Sequence, residues 1–67
     1  MKIILNNREE TFKADQLTID ELIKLKNFSF RLLVTKINGK LVKKENRGNA
    51  IIVEGDTVAV IHMISGG

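Results

Sequence analysis

Residues 54–67 read EGDTVAVIHMISGG, and their pattern constrains how the rest of the chain folds. Glu54-Gly55-Asp56 is a turn signal, and the apolar, β-branched run from Thr57 to Ile64 has the composition of a strand. Val58 and Val60 alternate on one face of that strand, while Ala59, Ile61 and Met63 share the other. A strand this apolar belongs in the middle of a sheet. If only one face is covered by a helix, the second face either meets a partner protein or carries the ordinary surface hydrophobes of a small domain. The contiguous apolar area favours the partner, so Ala59, Ile61 and Met63 are expected to form part of a docking surface. The run then ends on Ser65-Gly66-Gly67. Adjacent glycines lose much entropy on ordering and have nothing to pack, which predicts a flexible tail with an unhindered carboxylate.

Working back from this strand, KIILN and ETFKA read as a hairpin across the turn NNRE, with Asn6 and Asn7 able to take positive φ. In LTIDELIKLKNF, Thr18 and Glu21 have the spacing of a capping box, and Ile19, Leu22 and Ile23 fall on one helical face. A helix over 19–27 follows, with Asp20 and Glu21 at its positive end and Lys24 and Lys26 toward its negative end. FRLLVTKING reads as a strand closing on the Asn38-Gly39 turn, Leu41 and Val42 as its return, and KKENRGNA as irregular with one helical turn. The order β-β-α-β-β-β predicts an α+β domain: a mixed sheet of four to five strands, first and last strands adjacent, with one main helix packed on one face.

Sixty-seven residues allow one small core, and the whole chain 1–67 is expected to form a single domain with a flexible Gly-Gly tail. There is no cysteine, which removes disulfides and thiolate metal sites. The start MKIILNNREE is too short an apolar run for a signal-peptide core or a membrane span, so a cytoplasmic protein with no membrane partner is expected. The net charge of +3 is concentrated around KINGKLVKKENR, where Lys36, Lys40, Lys43, Lys44 and Arg47 face Glu45 alone. No aromatic residue interleaves with those charges to stack on bases, so a solvated hairpin or a surface for an acidic protein fits better than nucleic acid. His62 is the sole histidine, and no paired carboxylates show a catalytic spacing, so no catalytic residue and no metal site are expected.

Ile37-Asn38-Gly39, Gly55-Asp56, His62 and the final Gly66-Gly67, in this order, resemble the β-grasp sulfur carriers, above all the ThiS family of thiamine biosynthesis. The likeness covers nearly the whole chain and implies a ubiquitin-like β-grasp fold. Two features depart from the common pattern: VKKENRGNA lacks the proline and tryptophan often found there, and Ser65 gives an SGG ending shared with the MoaD-like small subunit of molybdopterin synthase.

The resemblance implies that the chain is a protein co-substrate, not an enzyme. A ThiF-like adenylating enzyme would join the Gly67 carboxylate to AMP, consuming ATP, with no cofactor bound to the carrier itself. A sulfur-donor protein would then yield a thiocarboxylate at Gly67, which a ThiG-like thiazole synthase uses. Gly66 and Ser65 would be the tail residues those partners recognise. The small subunit of molybdopterin synthase, a ubiquitin-like modifier and a nucleic-acid-binding module are the alternatives.

Overall fold

The computed structural model describes residues 1–28 and 32–63. The chain opens with the hairpin β1 (Lys2–Leu5) and β2 (Arg8–Thr11). Both connecting residues have positive φ, 51° at Asn6 and 69° at Asn7. That is the geometry of a two-residue turn whose twist matches the strands it joins. The turn is therefore shorter than NNRE, and β2 starts at Arg8 instead of Glu10 because Leu5 pairs directly with Arg8.

A short strand, β3 (Gln16–Thr18), leads straight into helix α1 (Ile19–Leu25). The Thr18 hydroxyl accepts from the Glu21 N–H at 3.1 Å, and the Glu21 carboxylate accepts from the Thr18 N–H at 2.8 Å. This is the capping box the sequence predicts, and it satisfies two backbone donors at the helix start. The helix stops two residues short of the expected 27. Asn27 takes φ 56°, and the Phe28 N–H returns to the Ile23 carbonyl at 3.0 Å, closing the helix with a left-handed residue.

The remaining elements are β4 (Leu33–Ile37), β5 (Lys40–Val42), a 3-10 turn (Lys44–Asn46), β6 (Ile51–Val53) and β7 (Thr57–His62). The main sheet has the order β2-β1-β7-β4-β5, mixed because β1 and β7 run parallel while the other pairs are antiparallel. First and last strands do lie side by side at its centre. Strands β3 and β6 form a separate two-stranded ribbon that pairs Leu17 with Ile52. This ribbon is absent from the order the sequence predicts, because three-residue strands carry too little periodicity and these two are far apart in the chain.

The core lies between the helix and one face of the sheet. Ile3, Leu5, Val58 and Val60 come from the strands, Ile19 and Leu22 from the helix, and Leu17 and Ile52 from the ribbon. Ile23, expected beside them, packs at the margin. Each large aliphatic side chain fully buried here contributes about 1.5–3 kcal/mol. The core also holds polar groups. Thr35 is fully buried, its hydroxyl donating to the Val42 carbonyl at 2.7 Å and accepting from Arg47 Nε at 3.2 Å. Arg47 Nη2 donates to the Leu33 carbonyl at 2.7 Å, so the guanidinium fastens the connection after β5 to the underside of β4.

Candidate functional site

Strand β7 links the two halves of the sequence signature, and they lie at opposite ends of it. At its start, Asn38 takes φ 52° and Gly39 φ 82° in the β4–β5 turn, while Gly55 takes φ 86° in the turn before β7. Asn38 Nδ2 donates to the Asp56 carboxylate at 3.0 Å, and Asn38 Oδ1 accepts from the Thr57 N–H at 2.9 Å. The other Asp56 oxygen accepts from the Val53 N–H at 3.0 Å. Ile37-Asn38-Gly39 and Gly55-Asp56 are thus a clamp between two turns that fixes where β7 begins. His62 is the last residue of β7, roughly 17 Å further along at strand rise.

At this far end, β1 stops at Leu5 while β7 continues, and the Asn6 side chain takes over the pairing. Its Oδ1 accepts from the Val60 N–H at 2.9 Å and its Nδ2 donates to the Val60 carbonyl at 3.1 Å. On the opposite edge, β4 pairs along β7 as far as Leu33 against His62, and the Met63 N–H donates to the Leu32 carbonyl at 2.9 Å. The bonding shown on the β1 side therefore reaches Val60, and on the β4 side Met63.

The residues expected to dock a partner sit on the sheet face away from the helix. Ala59 is half-buried among its neighbours, whereas Ile61 and Met63 are 49% and 50% exposed. Register adds Val34 and Leu41 to this face and brings Lys36 of the basic stretch onto it. Val34 lies opposite Ile61, and Lys36 lies opposite both Ala59 and Leu41, which is 62% exposed. Ala59, Ile61, Asn6, Asn7 and His62 also line a shallow open groove of about 380 Å³ along β7. Gly67, Gly66 and Ser65 lie outside the described residues. Alternation along β4 would have pointed to Val34 and Lys36, but Thr35 inverts the usual pattern by being the buried residue of that strand. Asn6 was legible as a turn residue only, since its bond to Val60 depends on tertiary pairing.

Among the described residues, no three His, Cys, Asp or Glu side chains are grouped to hold a metal ion. No described helix is long and apolar enough to cross a membrane. The model of the ThiS family matches residues 2–67. The chain belongs to the ThiS family. Among solved structures, this ThiS-family chain resembles the crystal structure of the thiamine biosynthesis protein ThiS from Geobacter metallireducens, with a TM-score of 0.90 at 22% identity over 100% of both chains. It also resembles the solution structure of a thiamine biosynthesis protein from the same organism, with a TM-score of 0.77 at 25% identity over 100% of this chain and 88% of that one. No curated protein matches it significantly by sequence. The ThiS-type β-grasp fold accounts for the central parallel pair β1–β7 and for the single described helix across one face.

Proposed function

We propose that this chain is a sulfur carrier for thiazole formation in thiamine biosynthesis, acting as a protein co-substrate. The observation that carries the proposal is the ThiS-family match over residues 2–67, which spans the folded body and the Gly66-Gly67 end together. In this reading 1–67 is one domain: the sheet supplies recognition and residues 65–67 supply delivery. A ThiF-like enzyme adenylates the Gly67 carboxylate with ATP, releasing pyrophosphate. A sulfur nucleophile from a donor protein attacks the acyl carbon and displaces AMP. With a persulfide as that nucleophile, the product is an acyl disulfide. A second thiol attacks the donor-side sulfur, forming a disulfide with the donor and releasing the Gly67 thiocarboxylate, which a ThiG-like thiazole synthase consumes.

The physical logic follows from the residue types. A carboxylate is a poor acyl donor, and joining it to AMP supplies a leaving group. Glycines at 66 and 67 have no Cβ, so a narrow cleft can close around the chain up to the reacting carbonyl. The family and the fold support this reading.

Intact mass of the protein purified from its own host tests the carrier class directly. A mass gain matching exchange of one oxygen for sulfur, located to the C-terminal glycine by fragmentation, is the expected result. Deleting Gly67 should abolish ATP–pyrophosphate exchange by the adenylating enzyme while changing folding stability by less than about 0.5 kcal/mol. Full exchange by the deletion variant would refute the proposal. A stable stoichiometric complex with a molybdopterin synthase catalytic subunit would redirect the sulfur to that pathway.

A further inference from the structure

The chain has six asparagines, and Asn38 alone is followed by glycine. That pairing carries a reaction of its own. The backbone nitrogen of the following residue can attack the asparagine side-chain carbonyl, and glycine, with no Cβ, leaves the approach open. Asparagine is thermolabile for this reason. Both residues are exposed in the β4–β5 turn, with φ 52° at Asn38 and 82° at Gly39. Nothing lies within 4 Å of where a Gly39 β-carbon would stand, so packing around Gly39 gives the site no protection.

What holds Asn38 is the clamp to the start of β7. Its Nδ2 donates to the Asp56 carboxylate at 3.0 Å, and its Oδ1 accepts from the Thr57 N–H at 2.9 Å. Its own N–H donates to the Thr57 carbonyl at 2.7 Å. Both ends of the amide are thus engaged by a different part of the chain from the turn that carries Gly39. For the Gly39 nitrogen to bond to Asn38 Cγ, the amide must rotate and both side-chain hydrogen bonds must break. The bond to Asp56 is the main restraint, because an ionised acceptor makes the stronger hydrogen bond.

We propose that Asn38 is a deamidation site whose rate is set by opening of this clamp, and whose product leaves the clamp undone. In the open turn the Gly39 nitrogen bonds to Asn38 Cγ and gives up its proton. The Cγ–Nδ2 bond breaks, and ammonia departs to leave a succinimide. Water opens that ring at either carbonyl, giving aspartate or isoaspartate, with no change of oxidation state. Aspartate places a carboxylate where the amide had donated, so Asp56 meets a like charge instead of an N–H. Isoaspartate adds a methylene to the main chain inside a two-residue turn, across which Ile37 pairs with Lys40. Either product frees the β4–β5 turn from the start of β7. The change also reaches β6, since the other Asp56 oxygen accepts from the Val53 N–H at 3.0 Å. The proposal concerns the folded body alone and goes beyond the carrier reading.

In the test, native protein is incubated in mildly alkaline buffer, folded and in urea. Conversion of each asparagine is followed by peptide mapping that separates aspartate from isoaspartate. In urea, Asn38 should convert ahead of the other five asparagines. In the folded protein it should convert about tenfold or more slowly, as for a site that reacts only when locally open. Asp56→Ala should raise the folded rate severalfold and leave the rate in urea unchanged, which separates the clamp from the local sequence. A second measurement does not depend on that variant folding. In native protein below its unfolding transition, Thr57 amide exchange and Asn38 conversion should rise together as urea increases. Asn38→Asp should unfold at a lower urea concentration than native. A folded rate equal to the unfolded one, or a folded Asp56→Ala protein that converts no faster than native, would overturn the proposal. So would conversion that does not follow Thr57 exchange, or an Asn38→Asp protein as stable as native. None of these outcomes touches the carrier reading, which concerns the tail.

Discussion

The Asn6 side chain pairs with the Val60 backbone as a strand would, donating to its carbonyl at 3.1 Å and accepting from its N–H at 2.9 Å. A turn residue thus extends the β1–β7 ladder past the end of β1, two residues before the last residue of β7. Two properties of Asn serve this position: its amide offers one donor and one acceptor side by side, and it tolerates a φ of 51°.

These two properties separate by mutation. Asn6→Gly keeps the positive φ and loses both side-chain hydrogen bonds, so it should destabilise the fold by about 1–2 kcal/mol. Asn6→Ala loses the bonds and adds the left-handed strain of a β-carbon, for roughly 1 kcal/mol more. Urea denaturation of the three proteins measures the ladder. If both variants matched native stability, the amide would contribute nothing to holding β7.

The buried pair Thr35 and Arg47 makes a second case, since each satisfies the other where water does not reach. Thr35→Val leaves the Arg47 Nε–H and the Val42 carbonyl short of a partner, at a cost of about 1–3 kcal/mol. Arg47→Met removes the cation and frees the Leu33 carbonyl, at a comparable cost. The double variant should cost less than the sum, with a coupling energy of about 0.5–3 kcal/mol. Strict additivity in a double-mutant cycle would mean the two side chains act independently.

How much of this was legible in the sequence differs by element, for physical reasons. The helix start was readable because Thr18 and Glu21 are three residues apart, and local chemistry fixes a capping box. The central β7 was readable because Val58 and Val60 bury while Ile61 stays exposed, a clean alternation. The turns at Asn6-Asn7, Asn38-Gly39 and Gly55 were readable because only a few residue types accept positive φ. The β3–β6 ribbon was not, since its stability comes from Leu17 and Ile52 meeting over a long sequence separation. Nor was the inward side of β4, where a hydroxyl and a guanidinium supply what is ordinarily an aliphatic contact. For the site, the sequence pointed to one strand of the free face and separately to the basic stretch, and register was needed to add Val34 and Leu41 and to place Lys36 beside them.

The helix face provides a contrast within one turn. Leu22 is fully buried and Leu25 is 58% exposed. Leu22→Ala should cost about 2–5 kcal/mol, because it removes core volume that the small sheet cannot refill. Leu25→Ala should stay within about 0.5 kcal/mol, since its environment is largely solvent and Ala favours helix. Equal effects in chemical denaturation would mean the helix is rotated from the orientation described here.

Met63 distinguishes folding from docking most directly. Its side chain is 50% exposed, and its backbone N–H donates to the Leu32 carbonyl. Glutamate at this position keeps that bond and places a charge in solvent, so Met63→Glu should denature within about 0.5 kcal/mol of native. Under the carrier reading the same change puts a carboxylate into the apolar contact with the adenylating enzyme, where an unpaired charge loses its water. Binding should weaken by about tenfold or more, seen as a raised KM for carrier in ATP–pyrophosphate exchange. Gln at the same position separates polarity from charge and should give an intermediate loss. If Met63→Glu unfolded the domain, Met63 would belong to the core; if it folded and bound normally, the docking face would end at Ile61.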